Sequence, residues 1–250
     1  MGFGSVGSMV GVMAVIAAVV ATMFAQATSV RFHQRREPHE LAWTLALVMF
    51  AFAAVALFLG DSTGWDSGTY RAFYLFGAIL NVPWLALGTV YLFLPPRAAH
   101  PVRTGVVFFS GLALGTMLAT PIRGPLPTGA IPDGSDHFGA LPRILAGVGS
   151  GLGATILIVG AVVSAVRALR RVEREGNTAR RLGLANVLIA AGTLIVSAGG
   201  TVQGWLSIDA DEAFALCTAL GICVIYAGFW TASSRAVSRN ARRNTLPANV

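Results

Sequence analysis

Three side chains able to ligate a divalent ion, Asp133, Asp136 and His137, stand together in the stretch PDGSDHF. A calcium ion takes about six to eight oxygen ligands, so three donors in a loop point to a weak site or to none. Outside this loop, acid–base chemistry is scarce. The 11 acids and 4 His all fall in polar breaks between long apolar runs or at the ends of those runs, with Glu40 the nearest to entering one. No nucleophile stands beside a base, and neither H-E-x-x-H nor a phosphate-binding loop occurs. GSGLGA at 149–154 matches the G-x-G-x-x-A dinucleotide fingerprint. That fingerprint needs a preceding strand and a βαβ unit, whereas here it lies inside an apolar run, so it is set aside. All 18 basic residues are Arg, which excludes a Lys Schiff base and with it covalent retinal or pyridoxal phosphate chemistry. Cys217 and Cys223 share one apolar run, six residues apart. On one helix they point to different faces and cannot bridge. The expectation is a protein that is not an enzyme, with no catalytic, cofactor-binding or metal residues and no cofactor.

What remains is neutral. Tyr74, Gly77, Asn81, Trp84 and Gly88 recur at helical spacing, and Asn186, Thr193, Ser197, Gly200 and Gly204 form a similar series. Cys223, Tyr226 and Trp230 follow i, i+3, i+7. Pro83 interrupts the backbone ladder next to Asn81 and frees a carbonyl. Two readings stand. The faces are helix-packing seams, where small residues allow close approach and interhelical hydrogen bonds contribute about 0.6–2 kcal/mol each. Or they line a central pocket of Asn81, Trp84, Thr193, Ser197 and Tyr226, suited to a small neutral or lipophilic molecule because no charge is present to pair with an ionic one.

The elements that must position these residues are membrane helices. Charged residues make up 12% of the chain and its mean hydropathy is +0.69, against roughly 25% charge in a soluble domain. A span needs about 20 apolar residues. Seven such runs lie at 5–28, 41–60, 71–95, 104–121, 143–166, 182–204 and 213–233. The fold expected is an all-α bundle of seven transmembrane helices forming one membrane domain over 1–233, with an Arg-rich tail at 234–250. Ala25-Gln26-Ala27 resembles a signal cleavage site, but the N-terminal flank MGFGSVGS carries no positive charge and the first run is too long for an ordinary signal core. It reads as a retained helix.

The pair GDSTGW (60–65) and GTVQGW (200–205) hints at duplication. VGSMVG at 6–11 and VGSGLG at 148–153 echo one another, as do Ala72-Phe73 and Ala213-Phe214. These echoes predict a three-plus-one-plus-three parallel repeat, halves 1–95 and 143–233 joined by a connector helix at 104–121. Trp65 and Trp205 would then lie at headgroup depth.

Arg placement predicts direction. Fifteen Arg follow the odd-numbered spans and three (Arg71, Arg123, Arg143) lie on the opposite side. The crowded side should be cytoplasmic, giving an outside N-terminus and an inside C-terminus. Fifteen Arg against four acids leave that side at +11, and three Arg against seven acids leave the other at −4. The positive charge thus reads as topology signal and as attraction to anionic lipid, not as a nucleic-acid surface. An alternative function follows from it: a non-catalytic membrane scaffold or regulatory subunit, meeting a protein partner through the 167–181 loop and the tail.

HELAWTLALVMF and YLFGAILNVPWLALGTVYLF resemble uncharacterised seven-helix integral membrane proteins of actinobacterial type. The resemblance covers mainly spans 2 and 3. It implies a multi-pass protein of a bacterial cytoplasmic membrane and brings no activity with it. The chain lacks the Lys of microbial rhodopsins, the Pro of PQ-loop transporters in spans 1 and 5, and the membrane-depth His and Asp of ceramidase-like hydrolases.

Overall fold

Ser8 starts the first helix by accepting a hydrogen bond from the Gly11 N–H at 2.9 Å, a side-chain cap on an otherwise orphaned donor. The computed structural model describes residues 8–175, 184–185, 187–189, 191–196 and 210–244. Among them helix is the regular structure and no strand occurs. We label the long helices α1 (Met9–Arg35), α2 (Pro38–Thr63), α3 (Ser67–Phe93), α4 (Pro96–Ala119), α5 (Ala140–Glu175) and α6 (Ala210–Asn244). All six are long and apolar enough to cross a membrane. The span expected at 182–204 is helical at 184–185, 187–189 and 191–196; Asn186, Ser197, Gly200, Gly204 and Trp205 lie outside the described residues.

The helices overrun the apolar runs. α1 continues through Arg31 to Arg35, α5 through Arg167 to Glu175, and α6 through Arg235 to Asn244. Hydropathy ends where charge begins, but a helix ends only where its backbone is stopped. α1 stops at Arg36, whose φ of 56° is left-handed and whose N–H returns to the Phe32 carbonyl. Pro38 then occupies the first turn of α2, where its missing N–H costs nothing. The connection is so short that α1 and α2 must lie antiparallel. Gly64, with φ 90°, turns the chain out of α2, and Asp66 caps α3 by accepting from Gly68 N at 2.7 Å and Thr69 N at 3.0 Å.

α1 packs between α2 and α6, α2 between α1 and α3, and α3 carries α4 and α5 on its other side. On α1 the buried residues Val10, Ala14, Ala17, Ala21, Phe24 and Thr28 alternate steps of four and three. That is the seam of two helices wound at a shallow left-handed angle. The small Ala side chains bring α1 and α2 close, which matters in lipid because dispersion contact replaces the hydrophobic drive between helices. A second core joins α3, α4 and α5 through Leu75, Ile79, Leu80, Ala113, Met117 and Leu145. α4 and α5 are the least covered, with 17% of each apolar window buried against 44% in α2, and α4 packs mainly against α3 and α5. Phe108 and Leu118, 72% and 71% exposed, cover its outer face with hydrocarbon.

Candidate functional site

Between α1, α2, α3, α5 and α6 lies a cavity of about 1220 Å³. Its walls are apolar, set by Ala14, Ala17, Phe50, Ala54, Phe214 and Ala215. Its charged lining residues, Asp133, Arg143 and Asp211, all belong to the end that carries the 120–139 loop. From Arg143 to Ala154, both in the lining, the cavity runs along 11 residue steps of α5, roughly 17 Å at the helical rise of about 1.5 Å per residue.

The loop caps it. Asp211 of α6 accepts from the Ile131 N–H at 2.7 Å, and Ile131 is buried against Val10, Ala14, Leu57 and Ala215. Tyr74 seats on Gly134, where an added Cβ would fall 2.6 Å from the phenol ring. Phe138 stacks on Tyr70 with centroids 4.7 Å apart and planes 7° apart. The three residues that could have ligated a metal serve the loop itself. Asp133 accepts from Ser135 N at 2.7 Å, Asp136 accepts from the Ser135 hydroxyl, and His137 Nδ1 lies 2.9 Å from the Arg123 carbonyl. No group of three or more His, Cys, Asp or Glu side chains is arranged for a metal among the described residues.

The blind end is built by α3. Between two α-helical stretches, Tyr74–Leu80 winds as a π-helix, a form that recurs at functional sites. Pro83 has no N–H to return to this turn. The carbonyls here face α5 instead: the Ser150 hydroxyl donates to the Ala78 carbonyl at 2.7 Å, and Gly149 closes on the Ile79 carbonyl. Asn81 follows directly. It is 6% exposed, it lines the cavity, and its Oδ1 has no hydrogen-bond partner. Thr218 of α6 also lines the cavity, and its buried Oγ1 is likewise without a partner. One heptad beyond Asn81, the Trp43 indole lies over Gly88, so close that a Cβ there would run into it, and its Nε1 donates to the Leu85 carbonyl at 3.3 Å. That indole fills the groove below the floor.

Of the five residues expected to form a pocket, the four that are described are dispersed. Asn81 lines the cavity. Trp84 turns toward α4 and donates to Ser110 Oγ at 3.1 Å. Thr193 bonds the Ile189 carbonyl of its own helical stretch at 2.8 Å. Tyr226 packs on Phe24, with centroids 5.4 Å apart, in the core joining α1, α2 and α6. Ser197 lies outside the described residues. Tyr74 and Gly77, from the same series as Asn81, do line the cavity. Thr218 and Trp43 carried no signal in sequence beyond being polar and aromatic residues within apolar runs. The glycine run of α5 splits in two: Gly149 and Gly153 press on α3, while Gly147 and Gly151 line the cavity with no atom within 4 Å of their Cβ positions.

At the opposite end, Glu40 is 2% exposed, and its Oε1 stands 3.5 Å from Arg31 Nη1. Arg31 in turn lies over the Phe229 ring, 4.2 Å from its centroid. Glu40, the acid nearest to entering an apolar run, is therefore buried beside Arg31 of α1 within the first turn of its own helix.

Six long apolar helices with hydrocarbon-covered outer faces define the class, a multi-pass membrane protein. A scan against protein-family models and a search of curated proteins return no match to the chain.

Proposed function

We propose that this chain is a seven-helix protein of a bacterial cytoplasmic membrane that binds or passes a small neutral or lipophilic molecule in the cavity above Asn81, without catalysis. One observation carries the reading: a largely apolar cavity holds a buried amide oxygen that has no hydrogen-bond partner among the described residues. Leaving such an atom bare costs about 1–3 kcal/mol, which a guest bearing a donor would offset. The helical residues at 184–185, 187–189 and 191–196 belong to the seventh span of this reading, and Gly192 closes on the Gly221 carbonyl of α6.

The packing supports the three-plus-one-plus-three plan. α1 meets α6 as α3 meets α5, so exchanging the halves carries one pair into the other, with α4 as the peripheral connector. Arg placement supports an outside N-terminus and an inside C-terminus. The sequence resemblance supports the bacterial setting. Arg167, Arg170, Arg171 and Arg174, and again Arg235, Arg239, Arg242 and Arg243, fall on the helical extensions of α5 and α6. There they would meet anionic headgroups at about 1 kcal/mol per Arg. No nucleic acid is required.

Native mass spectrometry of the protein released from lipid tests the central reading. A neutral adduct is expected on the wild type and at clearly lower occupancy on Gly151→Leu, whose side chain projects into the cavity. An adduct of equal occupancy on both would exclude the cavity as its place.

A further inference from the structure

Accepting the cavity as a binding site, we infer that its guest is a neutral amphiphile with a single hydroxyl or amide N–H. That donor rests on Asn81 Oδ1 at the blind end, and the apolar body lies along Gly147, Gly151 and Ala154 of α5. Three independent features of the cavity converge on this arrangement. The unsatisfied atom at the floor is an acceptor, Asn81 Oδ1, on a side chain more than nine-tenths buried. It calls for a donor and cannot serve a carboxylate or ether. Thr218 Oγ1, the second unpartnered atom of the lining among the described residues, is a hydroxyl that can accept a proton from a guest or give its own to a guest's oxygen. The α5 wall is bare where it faces the cavity. Gly147, Gly151 and Ala154 recur at i, i+4 and i+7, and the Cβ positions of both glycines meet nothing within 4 Å. Gly149 and Gly153, one face over, are pressed against α3. A helix that needs glycine only for packing has no use for the first pair, whereas a smooth track suits a chain or flat ring. Finally, among the described lining residues charge is confined to the capped end, at Asp133, Arg143 and Asp211, so an ionic group beside Asn81 would find no charged partner among them.

The probe is dodecanol carrying a chain diazirine, with its O-methyl ether as the donor-free control, applied to the full-length protein in phospholipid nanodiscs. The alcohol is expected to label the α5 peptide containing Gly147–Ala154 saturably and to bind about tenfold tighter than the ether, the worth of one buried hydrogen bond. In Asn81→Leu that gap should close, while the ligand-free protein melts no lower than wild type because an unsatisfied buried oxygen has been removed. Equal binding of alcohol and ether, or a gap that survives Asn81→Leu, would overturn the inference and leave the cavity reading intact. Absence of saturable labelling by either probe, or labelling unchanged in Gly151→Leu, would instead overturn the cavity reading itself. A lowered melting temperature in Asn81→Leu would make Asn81 a structural residue.

Discussion

Asn81 and Glu40 are both buried polar side chains with an oxygen left bare, yet their settings differ. Asn81 faces space, and Glu40 faces protein. Glu40 stands against Arg31, itself laid on Phe229. Removing one partner of a buried ion pair costs about 3–5 kcal/mol because the other charge is stranded, while replacing both with apolar groups is often neutral. Arg31 is partly exposed, with 24% of its side chain accessible, so the low end applies. Arg31→Leu should destabilise by about 3 kcal/mol, and Arg31→Leu with Glu40→Leu by clearly less, as read by thermal unfolding in detergent. At the other end, the Asp66 carboxyl is held below its ordinary value of 3.8, first by the Thr69 hydroxyl and then by the Thr69 and Gly68 amides. Its capping contribution is therefore complete at neutral pH and fades as the pH falls through its lowered value. Asp66→Asn removes that titration. The stability difference between wild type and this variant should be constant from pH 7 to 5 and shrink below about pH 4. A difference that grew on acidification would contradict the cap.

Each helix was legible as an element, but what its faces meet was not. The 3.6-residue repeat predicts Tyr74, Gly77 and Asn81 on one face, and all three do line the cavity although the π-turn departs from that repeat. It cannot say that Trp84, three residues on, meets Ser110 of α4, because that depends on which helix stands alongside. The π-turn at Tyr74–Leu80 was invisible for the same reason. Its Ala78 carbonyl accepts from Ser150, and its Ile79 carbonyl is approached by Gly149, on a helix some 70 residues away in the chain. Composition shows the glycines of α5, while the partition between packing and open glycines appears only with α3 in place. That partition is testable. A Cβ at Gly153 would meet the Val82 backbone at 3.0 Å, and one at Gly151 would meet nothing. Gly153→Ala should therefore cost about 1–3 kcal/mol, the usual range for overpacking, and Gly151→Ala should be neutral or slightly stabilising by helix propensity. Equal effects of the two on denaturation would mean that α5 does not face α3 as described.

For the molecule as a whole, apolar runs were enough to foresee an all-helical bundle, because in hydrocarbon a helix satisfies its own backbone. They were too short at their ends, since α1, α5 and α6 continue as helix beyond the last apolar residue. The proposed direction rests on charge and is open to a direct check. With Cys217 and Cys223 replaced by Ala, Thr128→Cys in the capping loop should react with a membrane-impermeant maleimide on intact cells. Arg36→Cys, between α1 and α2, should react only after permeabilisation. The reverse pattern would invert the assignment.

The Trp43 indole seated over Gly88 ties α2 to α3 at a position where only glycine fits. Two helices locked there move as one body: a shift that widened the hollow at Asn81, one heptad away, would have to carry both of them or lift the indole off its seat.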